Sequence, residues 1–284
     1  MAAALALAAA TTGSSGAAPP PTHGDSTAVD CGGPTGWKRF GCDSRALGRR
    51  LALREPGDGR RALGVVATAG LLYAGRDEIQ EQVREHRSSG TTDLLEGGRL
   101  LSRGVVSPLL AGAFFLTGRM TGQSRYTETS QILLESTLFS VALAEAGSFV
   151  LAAERPEDGD SVRFFRSGGH GVSLDVALAA SVVAPLDRRH LRFKPGDGRS
   201  RKIGKVAVRS VLYTAVGLTA LARMDADKHW APDVFLGAAS GLAVGYSLCS
   251  AHEAPARGSG PPPAGRWRPS VSAVPGGILL SWSL

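Results

Sequence analysis

The chain has 284 residues and a formal net charge of +7, enough for one substantial domain or two small ones. Its bases are scattered arginines with one denser group at 188–205. No aromatics interleave with that group and no zinc-spaced Cys/His cluster occurs, which argues against a nucleic-acid partner.

At the front, MAAALALAAA is apolar but has no charged leading segment, so it reads as a truncated export signal or an alanine-rich tail. The Gly, Pro, Ser and Thr that follow cannot bury enough surface to repay ordering. Cys31 and Cys42 bracket CGGPTGWKRFGC, a loop that a disulfide would close in an oxidising compartment. Cys249 is left over and is expected buried in a helix. Residues 1–60 are thus expected as a leader and loop-rich region, 61–250 as a helical domain and 251–284 as a Pro/Gly-rich tail. Within that tail VPGGILLSWSL reads as a short strand or a packed end.

Six apolar segments follow, at 61–75, 104–118, 131–153, 171–185, 206–222 and 232–250. Each is too long for an ordinary strand and long enough for a helix. The expected fold is all-α, a six-helix bundle embedded in a membrane; because a span needs about 20 apolar residues and some segments are shorter, a soluble all-helical bundle stays open as the alternative. Glu135, Glu145 and Asp175 inside these segments would have to face the bundle interior or a polar site. Gly237, Ala238, Ala239, Ser240 and Gly241 permit close helix contacts. Between the first two segments, GRDEIQEQVREHRSS predicts a solvated or interfacial helix with Ile79 and Val83 on one face.

Two clusters carry chemistry. In ARMDADKHWAPDVFLGAASG, Asp233 lies four residues after His229 and follows Pro232, a residue suited to the first position of a helix. A carboxylate on one imidazole nitrogen fixes the tautomer and leaves the other nitrogen free to attack phosphorus. Arg223, at the end of the preceding segment, offers a guanidinium to phosphate. Asp225 and Asp227 would oppose that attraction unless they point away. In RFFRSGGHGVSLDVALAA, glycines ahead of a helix let Gly168 and Gly169 amides approach an oxyanion, and His170 stands where it can donate a proton. Arg155, at the end of the third segment, and Arg166 complete a candidate clamp for phosphoryl oxygens.

In the order and spacing of these elements the chain resembles the type 2 phosphatidic acid phosphatase superfamily, which also contains vanadium-dependent haloperoxidases. The resemblance covers about residues 100–250. Its first element is Lys, six residues, Arg-Pro; Arg155 and Pro156 match, with Ser148 at the lysine position. Its second is Pro-Ser-Gly-His; Gly169 and His170 match, with Ser167 and Gly168 in place of proline and serine. Its third is Ser-Arg, five residues, His, three residues, Asp; Arg223, His229 and Asp233 match, with Ala222 in place of serine.

The resemblance implies a phosphohistidine intermediate on His229, oriented by Asp233, with His170 as proton donor and then base. Arg155, Arg223, Gly168 and Gly169 would hold the phosphate, and Arg166 would replace part of the charge lost at Ser148. It implies no metal and no cofactor, and competitive inhibition by vanadate. The expected partners are a phosphorylated lipid, a polyprenyl diphosphate or a small phosphomonoester, together with membrane lipid. No nucleic acid and no obligate protein partner is expected. The location implied is a bacterial cell membrane, with either an exported or a cytoplasmic face for the site. Two alternatives stay open: a catalytically degraded protein that binds lipid phosphate, warranted by Ser148 and Gly168, and a vanadium haloperoxidase.

Overall fold

The structure is a computed structural model that describes residues 35–54, 57–98, 102–159, 161–253, 268–274 and 277–283. The leader expected at the N-terminus lies outside the described residues. The helices are α1 (Trp37–Leu51), α2 (Asp58–Ala74), α3 (Arg76–Glu85), α4 (Ser89–Gly98), α5 (Val106–Thr121), α6 (Ser124–Leu151), α7 (Leu174–Leu186), α8 (Arg199–Asp225) and α9 (Ala231–Glu253). A π-helical turn, Asp187–Leu191, extends α7. Each of the six apolar segments forms a helix, but the bundle is not limited to six. The region read as loop-rich contains α1, whose polar sequence still buries Arg39, Cys42, Asp43 and Leu47. Cys42 is disulfide-bonded and Cys249 is buried; the expected partner Cys31 lies outside the described residues.

The core follows the small residues of α7, where Val176, Ala179, Ala180, Val183 and Ala184 are buried against Val216 of α8 and Val234, Ala238 and Leu242 of α9. A glycine ridge on α9 brings that helix close to α7. A Cβ at Gly237 would sit 2.5 Å from the Ser173 carbonyl oxygen, one at Gly241 2.3 Å from that of Ala177, and one at Gly245 2.6 Å from the Ala184 methyl. Spaced four apart, these glycines share one helix face and let two backbones meet. Such contact excludes any larger side chain from the seam.

Helix α3 departs from the solvated reading. Ile79 and Val83 pack against the main core cluster rather than facing solvent, and Gln80 is buried. Past Pro185, the π-helical turn brings Asp187 to Arg209 of α8 and to the hydroxyls of Tyr213 and Tyr246, which lie 3.1 and 2.7 Å from its Oδ2. This tie fixes the end of the bundle remote from the glycine-rich loop before α7.

Helices α6, α8 and α9, of 28, 27 and 23 residues, are long and apolar enough to cross a membrane. The acidic residues inside the apolar segments divide by environment. Glu135 is buried and accepts from Gln131, Asp175 pairs with Arg223, and Glu145 is exposed. Residues His252–Leu284 form a second compact unit. In it β1 (Arg268–Val274) and β2 (Gly277–Ser283) pair antiparallel, with Arg268 opposite Ser283 and Val274 opposite Gly277. The expected tail thus contains a hairpin, an exception to the all-α reading.

Candidate active site

Helix α6 ends in a left-handed residue, Ala152, at φ 40°. A β-carbon is disfavoured there, and the chain turns sharply. It runs out to Gly159 and returns antiparallel, with the Glu154 amide donating to the Ser161 carbonyl at 2.9 Å and the Arg163 amide to that of Ala152 at 3.2 Å. The glycine-rich segment then folds against this hairpin, and the His170 amide donates to the Ala153 carbonyl at 2.8 Å. Glycine is required at two points: Gly168 has φ +80°, and a Cβ at Gly169 would lie 2.2 Å from the Ala152 Cα. Ser148 is hydrogen-bonded to both the amide and the carbonyl of Val172, at 3.2 and 3.1 Å. It clips α6 to the segment before α7.

The third element is built at the turn from α8 to α9. The amides of Lys228 and His229 close on the Arg223 carbonyl at 3.0 and 3.3 Å. Asp233 reaches back to accept the Trp230 amide at 3.1 Å, which satisfies an orphan donor at the start of α9 in the manner of a capping box. The helix begins at Ala231, so Pro232 is its second residue rather than its first. His229 and Asp233 are both buried, at 8% and 5% exposure. Nδ1 of His229 lies 3.6 Å from the Asp233 carboxylate, just beyond hydrogen-bond length, and has no other hydrogen-bond partner.

Three further bonds join the elements. Trp230 Nε1 donates to the Glu154 carbonyl at 2.9 Å. The Ser173 amide donates to the Asp233 carbonyl at 3.0 Å. As a result the rings of His170 and His229 stand edge to face with centroids 6.3 Å apart. These two histidines, distant in sequence, are brought together as expected.

Beside His170 opens a cavity of about 270 Å³ lined by Glu154, Arg155, Asp158, Arg163, Arg166, Ser167, Gly168, Gly169 and His170, with Ala152 and Ala153. Nε of Arg155 is buried without a hydrogen-bond partner, an unmet donor beside a space of anion size. His229 and Arg223 are not in that lining. Arg223 instead pairs with Asp175 at 3.1 Å, because the first turn of α7 brings that carboxylate to the end of α8. Glu157 lies 3.4 Å from Arg155 and accepts from Lys228 Nζ at 2.6 and 2.8 Å; the Lys228 bond holds its carboxyl below the usual range. The His170 imidazole is pushed below its ordinary pKa by burial, and further by the charges of Arg155 and His229.

Asp225 and Asp227 are held by α3 and α4. Gln80 donates to Asp227 at 2.7 Å, Arg84 pairs with it at 3.0 Å and Arg87 at 2.8 Å. Arg87 also reaches Asp225 at 3.3 Å, and Thr92 donates to it at 3.0 Å. Arg84 extends to the Pro156 carbonyl at 3.4 Å. The electrostatic conflict expected from these carboxylates is therefore answered by Arg84 in α3 and by Arg87, two residues beyond its end. Sequence reasoning missed Arg84 and Arg87 in that role, together with Arg163 in the cavity and Lys228 beside His229. Arg163 had a readable signal in its spacing from Arg166; the others are joined only by the fold.

No family model and no curated protein matches the chain. Among solved structures, the crystal structure of Aquifex aeolicus LpxE is similar at 19% identity with a TM-score of 0.45, over 62% of this chain and 94% of that one.

Proposed function

We propose that the chain is a phosphohydrolase acting on a phosphate or diphosphate ester, with His229 as nucleophile. The observation that carries this reading is the pair of facing imidazoles, one backed by a buried carboxylate and the other bordering a cavity lined by three arginines. Asp233 keeps the proton of His229 on Nδ1, so that Nε2 presents its lone pair to phosphorus. As the N–P bond forms, the ester P–O bond breaks and the leaving oxygen takes a proton from His170. Water then attacks phosphorus, gives its proton to His170, and the N–P bond breaks to release phosphate. Arg155 and Arg166, with the Gly168 and Gly169 amides, neutralise the charge that builds on the equatorial oxygens. Arg223, paired with Asp175, acts by fixing the turn that carries His229. A lipid phosphate in a membrane fits the three apolar helices.

A second reading, phosphate binding without turnover, is favoured by two observations: Ser148 is committed to Val172, and Glu157 already engages Lys228 and lies beside Arg155. Phosphate release by detergent-purified protein from phosphatidic acid, a polyprenyl diphosphate and glycerol phosphate separates the two. Turnover abolished by His229→Ala and competitively blocked by vanadate is the expected result. Vanadate binding without turnover on any substrate would establish the second reading instead.

A further inference from the structure

Between two of the cavity's arginines the sequence places Arg163-Phe164-Phe165-Arg166. Both arginines line the cavity, whereas the phenylalanines are 63% and 68% exposed. Phe165 also holds φ 59°, a costly conformation for a bulky residue, and such outliers persist where the surroundings enforce them. Here they do so through the Phe165 amide, which donates to the Val150 carbonyl at 3.2 Å, and through an edge-to-face contact of its ring with Phe149 at 6.3 Å. Phe149 and Val150 are themselves 48% and 40% exposed. They lie at the C-terminal end of α6, a helix apolar enough to span a membrane. An apolar strip therefore runs from that helix to the rim of a cavity where three arginines outnumber the two carboxylates of Glu154 and Asp158. Inorganic phosphate or a short polar ester would gain nothing from it; only an occupant charged at one end and apolar next to that end uses both features.

We propose that Phe164 and Phe165 form a lip that seats the hydrocarbon chain of an amphiphilic phosphate whose head enters the cavity of Arg155, Arg163 and Arg166. This rests on the phosphate reading of that cavity and names the substrate feature it selects. The lip sets specificity by chain length and takes no part in bond breaking.

The test uses full-length protein in detergent and a series of alkylphosphonates, butyl, octyl and dodecyl, whose binding does not depend on turnover. Affinity should rise with chain length in the wild type. In Phe164→Ser/Phe165→Ser the dodecyl compound should bind about tenfold more weakly, the scale of losing part of an aromatic contact, with butylphosphonate unchanged. Phe164→Trp should retain the chain-length dependence, which separates loss of the apolar surface from misfolding. Equal loss across the series, no loss at all, or weaker association with phosphatidylcholine vesicles without a change in the series would each overturn the proposal. A series that responds in a protein with no turnover would sustain the lip while removing the hydrolase reading.

Discussion

His170 carries the most direct residue-scale prediction. Because burial, Arg155 and His229 all disfavour its charged form, NMR titration of its ring should give a midpoint below the ordinary 6.5. Arg155→Gln removes one like charge and should move that midpoint upward. The sign carries into stability: the neutral ring is favoured on folding, so His170 costs no stability above about pH 6.5 and increasingly opposes folding as pH falls below it. A His170→Asn protein should lose less melting temperature over that acid range. The residues themselves were legible to differing degrees. His170, His229 and Asp233 could be read from spacing because each lies at the mouth of a helix, where local sequence dictates geometry. Arg223 is legible as a cation at a helix end, whereas its pairing with Asp175 is made only by the fold. Ser148 was read only as a lost lysine, and its bonds to Val172 depend on how α6 ends.

Among the elements, the join between α3 and α4 has the clearest consequence. Arg87→Ala would release part of the charge of Asp225 and Asp227 beside the turn that carries His229. Partly exposed ion pairs contribute up to about 1 kcal/mol each, so vanadate should bind roughly two- to fivefold more weakly and the melting temperature should fall. The seam between α7 and α9 gives a second test. Gly241→Ala brings a methyl to 2.3 Å from the Ala177 carbonyl oxygen, and forcing the helices apart should cost about 1–3 kcal/mol in a denaturation measurement. Both elements mark the limit of periodicity as evidence. The six apolar helices were readable from their length and composition. Helix α1 was not, because its buried residues include Arg39 and Asp43, paired with each other at 3.2 Å. Nor was the packing of α3, whose apolar face is only Ile79 and Val83.

For the molecule as a whole, exposed apolar side chains on α6 and α8, among them Leu138 and Val211, clothe helices of spanning length. The protein should remain in the membrane fraction through an alkaline carbonate wash and leave it only with detergent. Recovery in the carbonate supernatant would reject the membrane reading. Helices of spanning length could be read from composition because apolar length is additive along the chain, whereas the cavity could not, being made where the chain reverses after α6. The contact of α7 with α9 has one more consequence. His170 precedes the first helix and His229 the second, and the Ser173 amide bound to the Asp233 carbonyl joins the two starts. The separation of the imidazoles is thus a ruler marked in backbone. The hairpin around it can change its side chains without moving the scale.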